Sequence, residues 1–174
     1  MTPLQWILYA KRTTVTGAIA SACALAALLV VSRRETGKPF AALNGSSQLV
    51  HGDKALRARE PSLRFTVPAL LIHHASAHWW AAAQEHPALI RRVPAPAVRA
   101  SGLMVCAAIL DYGLLPRRLS PGYEGQLSAR GIGLVFGAIA AGLALGSRVQ
   151  QPDARLSHRV VRRLLAPVIP REVP

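Results

Sequence analysis

Four apolar runs alternate with polar, basic connectors along this chain, at residues 14–31, 65–83, 100–115 and 131–146. A membrane-spanning helix takes ~20 residues at 1.5 Å each. The first two runs meet that length. The third and fourth fall near the lower limit, so their ends must reach the headgroup region or the helices must stand nearly upright. The aromatic residues agree with this layout. Trp6 and Tyr9 precede the first run, Trp79 and Trp80 lie near the end of the second, and Tyr112 lies near the end of the third. Such rings favour the interface, where an apolar body and a polar tip are both satisfied. The pattern therefore predicts an all-α fold, a four-helix transmembrane bundle. Residues 1–147 form the membrane domain and 148–174 a basic tail.

The connectors carry the charge. With the N-terminus inside, the basic residues divide almost evenly between the two faces, so the count alone sets no orientation. The tail breaks the tie. Leu156, Val160, Leu164 and Val168 recur at four-residue spacing, with Arg155, Arg159, Arg162 and Arg163 on the remaining surface. This predicts a C-terminal basic amphipathic segment lying on anionic lipids of the cytoplasmic leaflet, with both termini inside. A solvated basic tail is the alternative. The connector at 32–62 is the longest and carries Phe40, Leu43, Leu49, Val50 and Leu56 between polar residues, as short surface helices would. Pro87, Pro94 and Pro96 break up the next one.

Composition supports the membrane reading. Hydrophobic residues make up 51% and charged residues 17%, against about 25% charged in soluble domains. The net charge of +13 invites nucleic acid as a partner. However, the charges flank apolar runs, and no recognition helix, zinc finger or aromatic RNA platform is present, so nucleic acid is set aside. Cys23 and Cys106 both lie inside apolar runs and read as packing residues. The first run continues to Val31 without a small-residue cleavage site, so it reads as a retained helix and not a signal peptide. Small residues recur every four positions at Ala18, Ala22 and Ala26, at Gly133 and Gly137, and at Gly142 and Gly146. Such spacing lets backbones approach closely, and packing within the bundle is favoured over dimerisation.

The second run holds His73, His74 and His78, and the third holds Asp111, the one acid inside a run. Ionisable groups at membrane depth are costly and call for partners. His74 and His78 share a helix face, with Glu85 two turns further on. An antiparallel pairing of Ala83 with Ala100 puts Asp111 at the depth of Ile72, close to His73 and His74. Three readings follow. His74, His78 and Asp111 could hold a divalent metal ion or relay protons, since two imidazoles and a carboxylate suit zinc. An imidazole could ligate haem. A His–Asp hydrogen bond could simply join two helices. No phosphate-binding glycine loop or nucleophile–base arrangement is present, so catalysis is not expected.

Several short motifs carry a resemblance. They are Leu43-Asn44, His51-Gly52-Asp53-Lys54-Ala55, Pro61-Ser62-Leu63-Arg64-Phe65-Thr66, Leu71-Ile72-His73-His74-Ala75-Ser76, Asp111-Tyr112, and Pro116-Arg117-Arg118-Leu119-Ser120-Pro121-Gly122-Tyr123-Glu124. Through them, residues 40–146 resemble small proteobacterial polytopic inner-membrane proteins of unknown function. The segment 46–50 departs from the pattern in being less aromatic. The resemblance implies a multi-pass protein of the bacterial inner membrane and supplies no activity for any residue. The sequence expectation is thus a structural or accessory membrane protein, with metal binding or proton handling as the alternative.

Overall fold

The computed structural model describes residues 1–151, and these are helical with no strand among them. The amphipathic segment expected at 155–169 lies outside the described residues. The first helix, α1 (Pro3–Thr36), runs for 34 residues, or ~51 Å at 1.5 Å per residue. It starts eleven residues before the apolar run because a capping box holds it there. Thr2 Oγ1 accepts from the Gln5 amide at 3.3 Å and Gln5 Oε1 accepts from the Thr2 amide at 2.8 Å. Gly37, at φ 73°, ends it in a left-handed cap.

Three short helices follow in the long connector, α2 (Ala41–Gly45), α3 (Gln48–His51) and α4 (Asp53–Arg57); α2 differs from the surface helix expected, since all five of its residues are buried and Leu43 joins the core. Then come α5 (Thr66–Glu85), α6 (Pro87–Arg92) and α7 (Pro96–Ile109). A π turn, Leu110–Leu114, extends α7, and the Leu115 amide reaches back to the Leu110 carbonyl at 2.8 Å. The last described helix is α8 (Ala129–Val149).

α1 is the hub. It packs along both α5 and α8, and α7 packs along α8, while α5 and α7 touch only lightly. The α1–α8 approach is close because glycine permits it. A Cβ added at Gly142 would lie 2.6 Å from the Ala20 Cα, and one at Gly146 2.6 Å from the Thr16 Cα. Here the small-residue expectation divides. Gly142 and Gly146 pack inside the molecule, whereas Gly133 and Gly137 are exposed and have open space where a Cβ would stand. Those two glycines follow the outer stripe of α8, facing away from α1.

Three helices are long and apolar enough to cross a membrane: α1, α7 with its π turn (Pro96–Leu114), and α8. Large apolar side chains point outward from all three, among them Val30, Val105, Ile109, Leu134 and Leu145. A water-soluble helix keeps one polar face, and these do not. The chain thus has the character of a multi-pass membrane protein. α5 differs from the expectation of four equivalent spans. It has the length, 20 residues, but its three histidines with Gln84 and Glu85 dilute its apolar character, and it is not among the three.

Candidate functional site

Polar side chains collect at three levels. Each level is positioned by the antiparallel run of α5 against α1.

At the level where the chain starts and α8 ends, Glu85 is 1% exposed. Its Oε2 pairs with Arg12 Nε at 2.8 Å, and its Oε1 accepts from Thr16 Oγ1 at 2.9 Å and from Ser147 Oγ. Gln84, also buried, donates to Ser147 Oγ and to the Pro96 carbonyl, both at 3.1 Å. Arg99 is 3% exposed. Its Nε donates to the Gln84 carbonyl at 3.2 Å and one terminal nitrogen donates to the Val93 and Pro94 carbonyls at 2.7 and 2.8 Å. Gln150 Nε2 closes the end by donating to Thr16 Oγ1 at 2.9 Å. Four helices are stapled here. The sequence reading missed this cluster by treating Arg12 and Arg99 as topology charges. The available signal was Glu85 at a span end, where a lone acid needs a cation.

At the opposite end, Asn44 is buried. It donates to the Ala58 and Glu60 carbonyls at 3.0 and 2.9 Å, and its Oδ1 accepts from Thr66 Oγ1 at 2.8 Å. Gln48 Nε2 donates to the Ser120 carbonyl at 2.7 Å and the Arg117 carbonyl at 3.0 Å. Gly45 meets Gly122 so closely that a Cβ on Gly45 would stand 2.7 Å from the Gly122 carbonyl oxygen. Ser128 caps α8 and is itself held by Glu35 Oε2 on its amide at 2.6 Å. Asn44, Thr66, Arg117, Ser120 and Gly122 belong to the short motifs, whereas Gly45 and Gln48 lie outside them, and the Gln48 bonds and the Gly45–Gly122 approach lock one connector onto the other.

The middle level holds the expected site. His73 is buried, and its Nε2 donates to the Ser21 carbonyl at 3.1 Å. His74 Nδ1 lies 3.1 Å from Ser21 Oγ. His78 Nδ1 donates to the His74 carbonyl at 2.9 Å, and its ring fills the space above Gly17. Asp111 sits in the π turn, a distortion that frequently marks a functional position. Ile72, His73 and Asp111 line one cavity, as the antiparallel register of α5 and α7 implies. The structure nevertheless does not gather His74, His78 and Asp111. His74 and His78 follow the α1 seam, while Asp111 lies on the α7 side. Among the described residues no three His, Cys, Asp or Glu side chains are grouped so as to hold a metal ion. The physical reason is that Ser21 and Gly17 on α1 offer the imidazoles nearer polar and steric partners.

The cavity measures about 470 Å³. Trp79, Trp80, Met104, Phe136 and Ile139 supply its apolar wall. Asp111 makes no hydrogen bond or ion pair among the described residues. Burial pushes the Tyr123 phenol, on the same wall, up to about 12, so that ring contributes a neutral hydroxyl.

No protein-family model matches the chain, and neither a curated protein nor a solved structure matches it.

Proposed function

We propose that this is a four-pass helical protein of the bacterial inner membrane with a structural or accessory role. The observation that carries the four-pass reading is the path of α5. Its first residue, Thr66, bonds Asn44 at one end, and its last, Glu85, pairs with Arg12 at the other. A helix of 20 residues covers ~30 Å, the hydrocarbon thickness. If α1 crosses, α5 lies beside it in reverse and crosses too. Its buried polar groups are tolerated because they find partners, His73 and Glu85 on α1 and Gln84 on α7 and α8. The proteobacterial resemblance supports the inner membrane as location, and the basic residues beyond 152 support both termini at the cytoplasmic leaflet, on anionic lipids.

The accessory role follows from how the polar groups are engaged. The imidazoles and the Glu85 carboxylate join helices instead of converging on a shared centre. Single cysteines at Arg59 and Arg91, in a Cys23→Ala, Cys106→Ala background, test the passes. A membrane-impermeant maleimide should reach Arg59→Cys from outside intact spheroplasts and Arg91→Cys only after lysis. Equal accessibility would reject four passes, and reversed accessibility would reject the orientation.

A second reading, proton handling, is favoured by one observation, the shared cavity of Asp111 and His73. Metal binding by His74, His78 and Asp111 would require both imidazoles to leave their α1 partners. Stoichiometric metal in protein purified in mild detergent, lost on His74→Ala, would establish it over the accessory role.

A further inference from the structure

The cavity between α5, α7 and α8 has a definite chemical preference. Apart from the indole N–H groups of Trp79 and Trp80, its side-chain polar atoms are acceptors or hydroxyls. The Asp111 carboxylate is acceptor-only when ionised. A carbonyl can only accept, so His73 must donate Nε2–H to Ser21, and in the neutral ring Nδ1 is then an acceptor. Ser46 is 4% exposed, lines the cavity, and its Oγ has no hydrogen-bond partner among the described residues. The Tyr123 phenol lies near Ser46 without meeting hydrogen-bond geometry. A second carboxylate stands behind the wall, with Glu124 Oε1 2.5 Å from the cavity-lining Ser120 Oγ. Among the described residues no lysine or arginine lines the space, although the chain as a whole carries +13. An acceptor-rich, anionic pocket in a strongly basic protein is the opposite of what its average composition would give.

The wall around these acceptors is aromatic and aliphatic. Trp79, 74% exposed, stands at the rim where α5 and α7 are only lightly packed. Indole faces attract cations as well as apolar groups. A volume of about 470 Å³ falls in the range of small-molecule sites, ~300–1,000 Å³.

We propose that this cavity is a binding site for an amphipathic amine, whose ammonium group meets Asp111, His73 and Ser46 and whose apolar body lies against Trp80, Met104 and Phe136. The ligand enters sideways, from the lipid, through the gap between α5 and α7. The site is independent of the number of passes, so the cysteine-labelling result and the binding result can fail separately.

The test uses the full chain in mild detergent with Trp6→Phe, which leaves Trp79 and Trp80 as the fluorescent reporters. The probe is 4-phenylbutylamine, and its neutral isostere 4-phenylbutanol is the control for partitioning into detergent. The amine should change the fluorescence saturably and bind at least tenfold more tightly than the alcohol. Asp111→Asn should remove that preference. Ser76→Phe, which narrows the cavity from an exposed position on α5, should weaken the amine tenfold or more with the carboxylate intact. Equal binding of amine and alcohol to the parent chain would overturn the proposal, whatever the variants do. So would an amine preference that survives Asp111→Asn.

Discussion

The α1 side of this molecule and its α7 side solve the problem of polar groups at membrane depth in opposite ways. Along α1, glycines bring backbones together and every imidazole or carboxylate that faces the seam finds a partner. Ser21 alone serves His73 and His74, and Glu85 binds three side chains. Between α5 and α7 the packing is open, and Asp111 faces a cavity without a partner among the described residues. The lesson is that ionisable residues in one bundle divide by neighbour and not by type. Those against a tightly packed helix hold the fold, and those against a loose one are free for a ligand.

The largest test of that division is Glu85→Leu. Removing one member of a buried ion pair costs about 3–5 kcal/mol. Arg12 is 31% exposed and can turn outward, so the lower end, about 3 kcal/mol, is expected. Thermal unfolding in detergent measures it. Glu85→Gln keeps an oxygen for Thr16 and Ser147 and should lose less. Equal stability of Glu85→Leu and the parent chain would remove Glu85 from the staple.

Next comes a pair of substitutions on one helix. Gly142→Leu forces a side chain onto the Ala20 backbone, and overpacking of this kind costs about 1–3 kcal/mol. Gly137→Leu meets nothing within 4 Å and should leave the stability of the monomer unchanged. The two glycines are five residues apart and equally small, so only their neighbours separate them. A similar loss from both would mean that the outer stripe of α8 is also a packing face.

That pair shows how far the sequence was legible. The four helical runs, the short helices of the long connector and the depth of Asp111 follow from apolar run length and helix rise, which are local properties. Which of two glycine pairs meets α1 is not local. Gly133 and Gly142 sit in the same apolar context, and the choice depends on the rotation of α8 about its axis. The same limit hid the Arg12–Glu85 pair, whose members are 73 positions apart. It also made His74, His78 and Asp111 look like one centre, because shared depth does not fix which helix a side chain faces. Exclusion of α5 from the clearly apolar helices has a simple cause as well, since His73, Gln84 and Glu85 are buried against partners on neighbouring helices and hydropathy cannot see a partner.

Ser21→Ala probes the seam more gently. It removes the hydroxyl near His74 but keeps the carbonyl that holds His73. A single hydrogen bond contributes about 0.5–1.5 kcal/mol, and the exposed position of His74 puts the expected loss at the low end. A larger loss, by the same unfolding measurement, would mean that His74 carries more of the α1–α5 contact than its one bond implies.

The smallest expected effect on stability, and the most direct on the comparison, belongs to Asp111→Leu. Were Asp111 paired with an imidazole, leucine would leave that ring unsatisfied and cost about 1–3 kcal/mol. In this fold the ring of His73 is already held by Ser21, and the carboxylate has no partner to orphan. Leucine also removes a half-buried acid that is unpaired among the described residues, so stability should be unchanged or slightly raised. A fall of 1 kcal/mol or more, by the scale of one lost buried hydrogen bond, would show that Asp111 belongs to the structural set after all. A stable Asp111→Leu protein that has lost its preference for 4-phenylbutylamine would place the carboxylate on the ligand side of the division.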